Sequence, residues 1–513
     1  MLATHPAPHP ILPVTTAGDV PVTVAASLAP PLFVDLDGTL IRSNLLWESF
    51  AAALRVDPLG CLMALLAIIN GRAALKRALA KVGPVDPRAL PYRRQFVAWL
   101  RRQRAQGRRI ILATSADRHV AAGVARHLGL FEQVLASDGW LNNKGENKLA
   151  AIRAAADDGP FDYCGNSPGD MPIFLAARQA WVVGASQRTI DVASRRGNAE
   201  LRFARIRQPH RWQHWRRALR PFHWLKNLLV LAPFFSAFAV TEWSTLAQAL
   251  LAAVAMSLAA SAGYLVNDLL DMQADRQHPR KRRRPFAAGH LTAAEGFTVA
   301  LVLQSAALAI ATWVGWQVVF WLLIYLVGTY AYSVFFKREP IIDVMMLAGL
   351  YATRMIVGTH AVNSEPSIWL LAFSVFFFFS LAMMKRCGEL VSRHQRGEST
   401  TVGRGYLVTD LQMLAPLGIA SGVAAVLVLA LYVQSPIVQS RYPIPEALWL
   451  ALVALLVWIS RAWLDTMRGQ MDDDPLIYAI RHRRGRMVLV MVIASFSLAS
   501  LWGLGVAIDQ PPG

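Results

Sequence analysis

The sequence predicts a soluble α/β domain followed by an all-α polytopic membrane domain of about nine transmembrane helices. Three observations lead there. Between residues 31 and 207, short apolar runs alternate with helical stretches and end in polar turns. From Pro221 onward, apolar stretches long enough to cross a bilayer recur to the end of the chain. Across all 513 residues, 55% are hydrophobic and 17% charged, and the mean hydropathy is +0.35, too apolar for a wholly soluble protein. Only three cysteines occur, Cys61, Cys164 and Cys387, far apart; this spacing excludes a disulfide framework and a cysteine zinc site. Collagen-like and coiled-coil classes are excluded by composition.

Residues 1–30 are rich in Pro, Ala, Thr and Val and contain no Lys or Arg. Without a basic start and a sustained apolar core they do not read as a secretory signal, so a flexible leader is expected. Residues 31–205 form the α/β domain. Its runs Leu32-Phe33-Val34, Ile110-Ile111-Leu112, Phe161-Asp162-Tyr163-Cys164 and Trp181-Val182-Val183 have the continuous apolarity of parallel strands covered on both faces. Reactive groups in such sheets gather at the carboxyl ends of the strands. There the sequence supplies Asp35-Leu36-Asp37-Gly38-Thr39-Leu40, then Thr114-Ser115, then Lys148, then Gly165-Asn166-Ser167-Pro168-Gly169-Asp170. Two carboxylates two residues apart can divide nucleophile and metal ligand from general acid/base. A hydroxyl and a lysine suit a transferred phosphoryl group, and a distal Asp completes a Mg2+ shell.

This ordered set resembles the haloacid dehalogenase (HAD) superfamily of phosphohydrolases over about residues 31–190. The resemblance implies that Asp35 is the nucleophile that becomes an aspartyl phosphate and Asp37 the acid/base. It implies further that Thr114 and Lys148 hold the phosphoryl group, and that Asp35, Asp37, Asn166 and Asp170 surround Mg2+. Asn166 departs from the family, which usually has Asp there; its amide oxygen can ligate Mg2+ but brings no charge. A degenerate, purely structural HAD module is the alternative. The insert at about 44–105 is the expected helical cap. Its apolar run Leu62–Ile69 is too short to span a bilayer and reads as cap core, with a membrane-facing surface as the alternative.

A basic linker is expected at 206–220 and the membrane domain at 221–508, with a tail at 509–513. Nine apolar stretches centre near 222–241, 245–267, 293–313, 315–333, 341–361, 367–385, 412–433, 446–464 and 487–507. The stretch at 341–361 is the least apolar, and a partial break is expected in it. Basic residues concentrate in alternate loops, around Arg276–Arg284, Lys337-Arg338, Arg386–Arg404 and Arg468–Arg486. The positive-inside bias then puts those loops and the α/β domain in the cytoplasm, in the inner membrane, with the C-terminus on the opposite side. The formal charge of +19, from 52 Lys+Arg against 33 Asp+Glu, therefore needs no nucleic acid as partner.

The second stretch ends in Asn267-Asp268-Leu269-Leu270-Asp271-Met272-Gln273-Ala274-Asp275. Asp268, Asp271 and Asp275 fall on one helix face, with Asn267 beside them. Such carboxylates repel unless a cation lies between them, and they read as a Mg2+ site for a diphosphate. The run His278-Pro279-Arg280-Lys281-Arg282-Arg283-Arg284-Pro285 follows, with topology and lipid headgroups as the competing explanation for each single base.

Together with Trp224-Leu225-Lys226-Asn227, Tyr332-Ser333, Lys337, Asp343, Arg354, Gly358 and Lys385-Arg386-Cys387-Gly388-Glu389-Leu390, this constellation resembles the UbiA-type prenyltransferases over about 215–508. Its HP-x-KR-x-RP continuation is most similar to the decaprenyl-phosphate phosphoribosyltransferases, and the second aspartate-rich motif usual in the superfamily is replaced by Lys337, Glu339 and a lone Asp343. The resemblance implies nine helices around a central cavity that opens to the cytoplasm. It also implies transfer from phosphoribosyl pyrophosphate (PRPP) to a polyprenyl phosphate, with Mg2+ at Asn267, Asp268, Asp271 and Asp275. The phosphates would meet Lys226, Lys281, Arg282, Arg284, Lys337, Arg354, Lys385 and Arg386. The HAD domain would then remove the 5-phosphate. Aromatic prenylation with a prenyl diphosphate donor, and a lipid-binding scaffold with an inactive HAD domain, are the two competing readings.

Overall fold

The computed structural model describes residues 29–185, 189–191, 199–203, 211–236, 243–365, 367–397, 405–471 and 474–506. The leader up to residue 28, linker residues 206–210 and the tail 509–513 lie outside them. The chain divides into two compact units. One comprises the chain up to Leu219 together with Tyr264–Ala300; the other comprises Arg220–Gly263 and the chain from Leu301.

The first unit is built on six parallel strands in the order β3-β2-β1-β4-β5-β6. They are β1 (Leu32–Val34), β2 (Ile110–Asp117), β3 (Gln133–Ser137), β4 (Asp162–Gly165), β5 (Gln179–Val183) and β6 (Ala199–Phe203). Leu32 of β1 lies opposite both Ile110 and Asp162, so β1 is central. Successive residues face opposite sides of a strand. Leu32, Val34, Ile110, Leu112 and Cys164 accordingly share one core, and Phe33, Ile111, Ala113, Tyr163 and Val182 share the other. This is the two-faced burial that the apolar runs predicted. Strand order reverses between β1 and β4, which opens a crevice beyond their carboxyl ends.

Between β1 and β2 come α1 (Leu45–Val56), α2 (Pro58–Leu66), a 3-10 turn (Ala67–Asn70), α3 (Arg72–Val82) and α4 (Arg94–Ala105). The helix α4 lies within the expected cap insert but packs on the sheet through Phe96, Val97, Trp99 and Leu100. The cap is thus α1–α3, with a small core of Ala53, Cys61, Ala64 and Leu79. Apart from Ala64, the run Leu62–Ile69 is not cap core. Of α2 only Cys61 and Ala64 are buried, because a helix this short offers one narrow face to its neighbours.

In the membrane half, seven of the described helices are long and apolar enough to cross a bilayer: Trp243–Leu270, Ala293–Val314, Trp316–Val334, Ile342–Ala361, Ile368–His394, Val408–Val433 and Pro445–Met467. The described part of the ninth expected stretch lies in a 24-residue helix, Arg483–Val506. The first is not a regular span where described: Pro221–Leu231 is 3-10, followed by a short helix Ala232–Ser236. Two of its polar side chains bond to the helix Trp243–Leu270. Trp224 Nε1 donates to Ser261 Oγ at 2.9 Å, and Asn227 Nδ2 to Ser257 Oγ at 3.1 Å. The break expected inside 341–361 is absent. Ile342–Ala361 is continuous, and the irregularity precedes it at Ile341, whose φ of 67° is unusual for a β-branched residue. The Ile341 amide is held there by the Tyr406 hydroxyl at 2.8 Å.

Candidate active sites

The turn after β1 carries the first carboxylate pair. Gly38 has φ +76°, and a Cβ there would lie 2.0 Å from Asn166 Nδ2, so glycine is required both for the backbone and for the approach of Asn166. That approach brings the ends of β1 and β4 together. Lys148 Nζ, on α5 (Glu146–Ala155), donates to Asp35 Oδ1 at 2.8 Å, to the Tyr163 hydroxyl at 2.7 Å and to Asp170 Oδ1 at 3.3 Å. Thr39 Oγ1 donates to Asp35 Oδ2 at 3.2 Å. Asp37 Oδ1 accepts the Leu45 amide at 2.8 Å, which ties the acid/base candidate to the first turn of the cap. Thr114 is fully buried on β2, and its carbonyl accepts from Asn143 Nδ2 at 3.1 Å.

Asp35, Lys148 and Asp170 thus meet directly, and Asn166 closes over Gly38. One Asp170 oxygen accepts from Lys148 and the other from the Ser167 amide, so the acid expected on the metal side also pairs with Lys148. Burial pushes the Asp35 carboxyl up, with Lys148 opposing. Burial also pushes Asp37 up to about 7, and the charge of Asp35 adds to it. Burial alone would lower Lys148, but Asp35 and Asp170 outweigh it and hold the ammonium charged. Among the described residues no three His, Cys, Asp or Glu side chains are grouped to hold a metal ion unaided. Asp35 and Asp37, with the Asn166 amide oxygen, nevertheless offer the hard oxygen donors Mg2+ prefers, and the upward push on both carboxyls marks a site short of positive charge.

Two side chains absent from the sequence reading belong here. Lys76 reaches from α3 to the Ser115 carbonyl at 2.5 Å and to Asn142 Oδ1 at 3.0 Å. Burial lowers its affinity for a proton, while Asp37 opposes that shift. Tyr163 accepts from Lys148, and burial pushes its phenol well above the ordinary value. No local motif marks either residue; both arrive through chain topology.

The acidic motif lies in the same compact unit. The helix Trp243–Leu270 ends just before Asp271, and Met272–Gln277 restarts after it. The Asp271 and Asp275 amides still bond back four residues, to the carbonyls of Asn267 and Asp271, so the acids stay on one side. A metal is not the only cation that can relieve their repulsion. Arg284 Nη1 lies 3.0 Å from Asp268 Oδ1 and 2.8 Å from Asp275 Oδ2, and Arg55 Nη1 lies 3.6 Å from Asp271 Oδ1. Arg284, expected on substrate phosphate, is therefore engaged by the carboxylates. Burial raises the Asp275 carboxyl against the pull of Arg284. Asn267, Lys281 and Lys337 are half-buried and Arg282 is exposed. The acid oxygens and the Asn267 amide are a donor set of the kind Mg2+ takes.

The motif is fixed from the cap side. Arg276 donates to Glu48 on α1 at 2.6 and 3.0 Å, and to the carbonyls of Ala287 at 3.1 Å and Ala89 at 3.3 Å. Glu48 is 1% exposed. Removing one member of a buried pair leaves an uncompensated charge and costs about 3–5 kcal/mol. Glu48→Gln should lower the thermal unfolding midpoint of the detergent-solubilised chain. An unchanged midpoint would show that the pair does not hold this loop.

The second unit gathers other predicted bases. Lys226 pairs with Asp474, and Lys385 Nζ is 4.0 Å from the same carboxylate. Burial alone would raise Asp474, but Lys226 and Lys385 hold it below the ordinary carboxylate range. Lys226 and Arg354 both lie over the Tyr351 ring, 5.7 and 4.8 Å from its centre. Arg354 also donates to Asn227 Oδ1 at 2.9 Å and to the Tyr325 hydroxyl at 3.1 Å. Arg386 stands apart from this group, with Nε on Asp343 at 2.6 Å and Nη2 on the Tyr332 hydroxyl at 3.2 Å. Asp474 was missed by sequence reasoning, although an acid inside the last basic loop is a usable signal. Beside Lys226, an apolar cavity of about 300 Å³ is lined by Phe222, Leu225, Leu228, Phe377, Phe378 and Ile480 among others.

Comparison with known proteins matches residues 32–175 to the haloacid dehalogenase-like hydrolases and residues 228–483 to the UbiA prenyltransferase family. The uncharacterized protein y4nM of Sinorhizobium fredii is 34% identical over 470 residues, covering 91% of this chain and 91% of its own. Nodulation protein NoeC of Azorhizobium caulinodans is 36% identical over 264 residues, 51% of this chain and 85% of its own. A decaprenyl-phosphate phosphoribosyltransferase of Mycobacterium tuberculosis is 30% identical over 294 residues, 56% of this chain and 94% of its own.

Proposed function

Given that the chain belongs to the UbiA prenyltransferase family and carries a haloacid dehalogenase-like hydrolase domain, we propose that it transfers 5-phosphoribose from PRPP to a polyprenyl phosphate and then removes the 5-phosphate. It is an integral membrane protein. The observation that carries the reading is the assembled Asp35–Lys148–Asp170 set on a chain whose membrane half is similar to phosphoribosyltransferases. The product of such a transfer is a phosphomonoester, the substrate class of HAD hydrolases.

In the transfer, an oxygen of the lipid phosphate attacks C1 of the ribose and pyrophosphate departs. Lys226 and Lys385 are the bases assigned to the acceptor phosphate, with Asp474 as their counter-ion before it arrives. The apolar cavity beside Lys226 suits a polyprenyl tail. Asn267, Asp268, Asp271 and Asp275 are assigned to the pyrophosphate side. Bound Mg2+ would supply charge neutralisation of the leaving pyrophosphate. In the hydrolysis, an Asp35 oxygen attacks phosphorus while Asp37 gives a proton to the departing ribose oxygen. Asp37 then takes a proton from the water that releases phosphate. A carboxyl pushed up to about 7 can do both near neutral pH. Lys148 and Thr114 hold the phosphoryl oxygens. The charge bias of the loops argues for HAD chemistry at the cytoplasmic face.

Membranes containing the protein, given PRPP and polyprenyl phosphate, should yield a lipid heavier by one ribosyl group without its 5-phosphate, read by mass spectrometry. Efficient prenylation of an aromatic acceptor from a prenyl diphosphate, with no product from PRPP, would overturn the reading.

A further inference from the structure

The cap carries an apolar face that the hydrolase fold leaves uncovered. From Pro58 to Ile69 the chain has no charged residue. Leu59 is 77% exposed, Leu62 62%, Met63 68%, Leu66 57% and Ile69 82%, and Val56 and Ile68 extend the face at either end. Single exposed apolar residues are ordinary, but a contiguous group of this size on a soluble domain marks a contact surface.

We propose that α2 and its 3-10 turn lie in the lipid–water interface of the bilayer, with this face among the acyl chains. Three features select lipid as the occupant. Seven of the described helices are long and apolar enough to cross a bilayer, so lipid is always at hand. The segment Pro58–Asn70 is too short to span and must lie in the plane of the interface. Exposed Arg72 follows after Gly71, and a long cationic side chain there can reach headgroups while the apolar face stays buried. A protein partner of fixed shape would call for polar groups that orient it, and this face presents none from Pro58 to Ile69.

The seating has a consequence for the hydrolase site. The helix α3 packs against α2 through Leu75, Ala78 and Leu79, next to Cys61 and Ala64. The same helix delivers Lys76 to the Ser115 carbonyl and to Asn142. A cap floated on lipid therefore holds the mouth of the site at headgroup depth, where a phosphate on a membrane-anchored molecule sits. The seating itself does not depend on which lipid phosphate is cleaved.

The test uses the full chain in lipid nanodiscs holding one copy each. Cys61, Cys164 and Cys387 are buried, so a spin label can be directed to single introduced cysteines at Leu62→Cys and Ile69→Cys, with exposed Gln106→Cys, just past the end of α4, as the aqueous reference. Labels at positions 62 and 69 should be relaxed several-fold more by dissolved oxygen than by a water-soluble nickel chelate, and the label at 106 the reverse. Nickel accessibility at 62 and 69 equal to that at 106 would overturn the proposal. So would dipolar coupling between position-62 labels of two copies, seen in vesicles together with shielding from both reagents, since that would make the face a contact between chains.

Discussion

Asp35→Asn is expected to leave the ribosyl lipid carrying its 5-phosphate while the transfer proceeds at the wild-type rate. Asparagine keeps the shape of the side chain and an oxygen to accept from Lys148, now 2.8 Å away, so the site should stay assembled. It cannot form the acyl phosphate, and loss of a nucleophile costs roughly 10⁴-fold or more in turnover. Asp35 belongs to the hydrolase set, apart from the acids assigned to transfer. The lipid product, separated by mass, therefore reports the two activities independently. Unchanged release of phosphate from the variant would remove Asp35 as nucleophile. A wild-type product that keeps its 5-phosphate would instead give the hydrolase another substrate.

Asp275→Asn and Asp271→Asn should each suppress the transfer, by about 10²–10³-fold in kcat if the acid stabilises charge on the leaving pyrophosphate. The fold should survive. Arg284 keeps Asp268 at 3.0 Å when Asp275 loses its charge, so no arginine is left buried without a partner. Asp271 faces Arg55 at 3.6 Å with 13% of its side chain exposed, a looser pair whose loss costs little. Incorporation of label from PRPP into lipid, measured against Mg2+ concentration, is the check. Normal transfer with unchanged Mg2+ dependence in either variant would take that residue out of the site. Glu48→Gln separates holding the loop from binding at it, because it loosens Arg276 and leaves Asp268, Asp271 and Asp275 in place.

Much of the hydrolase site was legible along the chain. Parallel strands buried on both faces write themselves as uninterrupted apolar runs, and the residues that follow them must converge at one edge of the sheet. Asp35, Asp37, Lys148 and Asp170 are therefore candidates from the sequence alone. What could not be named was the cap's contribution. Lys76 sits in an unremarkable basic helix, and only the fold-back of α3 over the strand ends carries it to Ser115. The same holds for Glu48, one acid in an amphipathic helix, whose partner Arg276 is 228 residues away.

In the membrane half, hydropathy located seven of the nine expected spans among the described residues, because a bilayer demands about twenty apolar residues whatever the fold. It could not resolve how polar residues inside them are satisfied. Asp343 and Arg386 are paired at 2.6 Å and Arg354 is held by Asn227 and Tyr325, arrangements that depend on how the helices pack and on no spacing within one segment.

The sequence by itself determined the two families, the order of the domains, the strand-end carboxylates and the acidic stripe. These depend on local pattern: periodicity, chain order and residue types at short spacing. Only the tertiary structure decided which cation neutralises which acid. Arg284 lies between Asp268 and Asp275 because a turn returns it there, and Asp170 meets Lys148 because the fold brings the helix Glu146–Ala155 to the turn that follows β4. It also decided that the apolar run of α2 faces outward. Hydrophobicity states how much a segment gains by leaving water, but what covers it is set by the packing of its neighbours, and here α1 and α3 cover only Cys61 and Ala64.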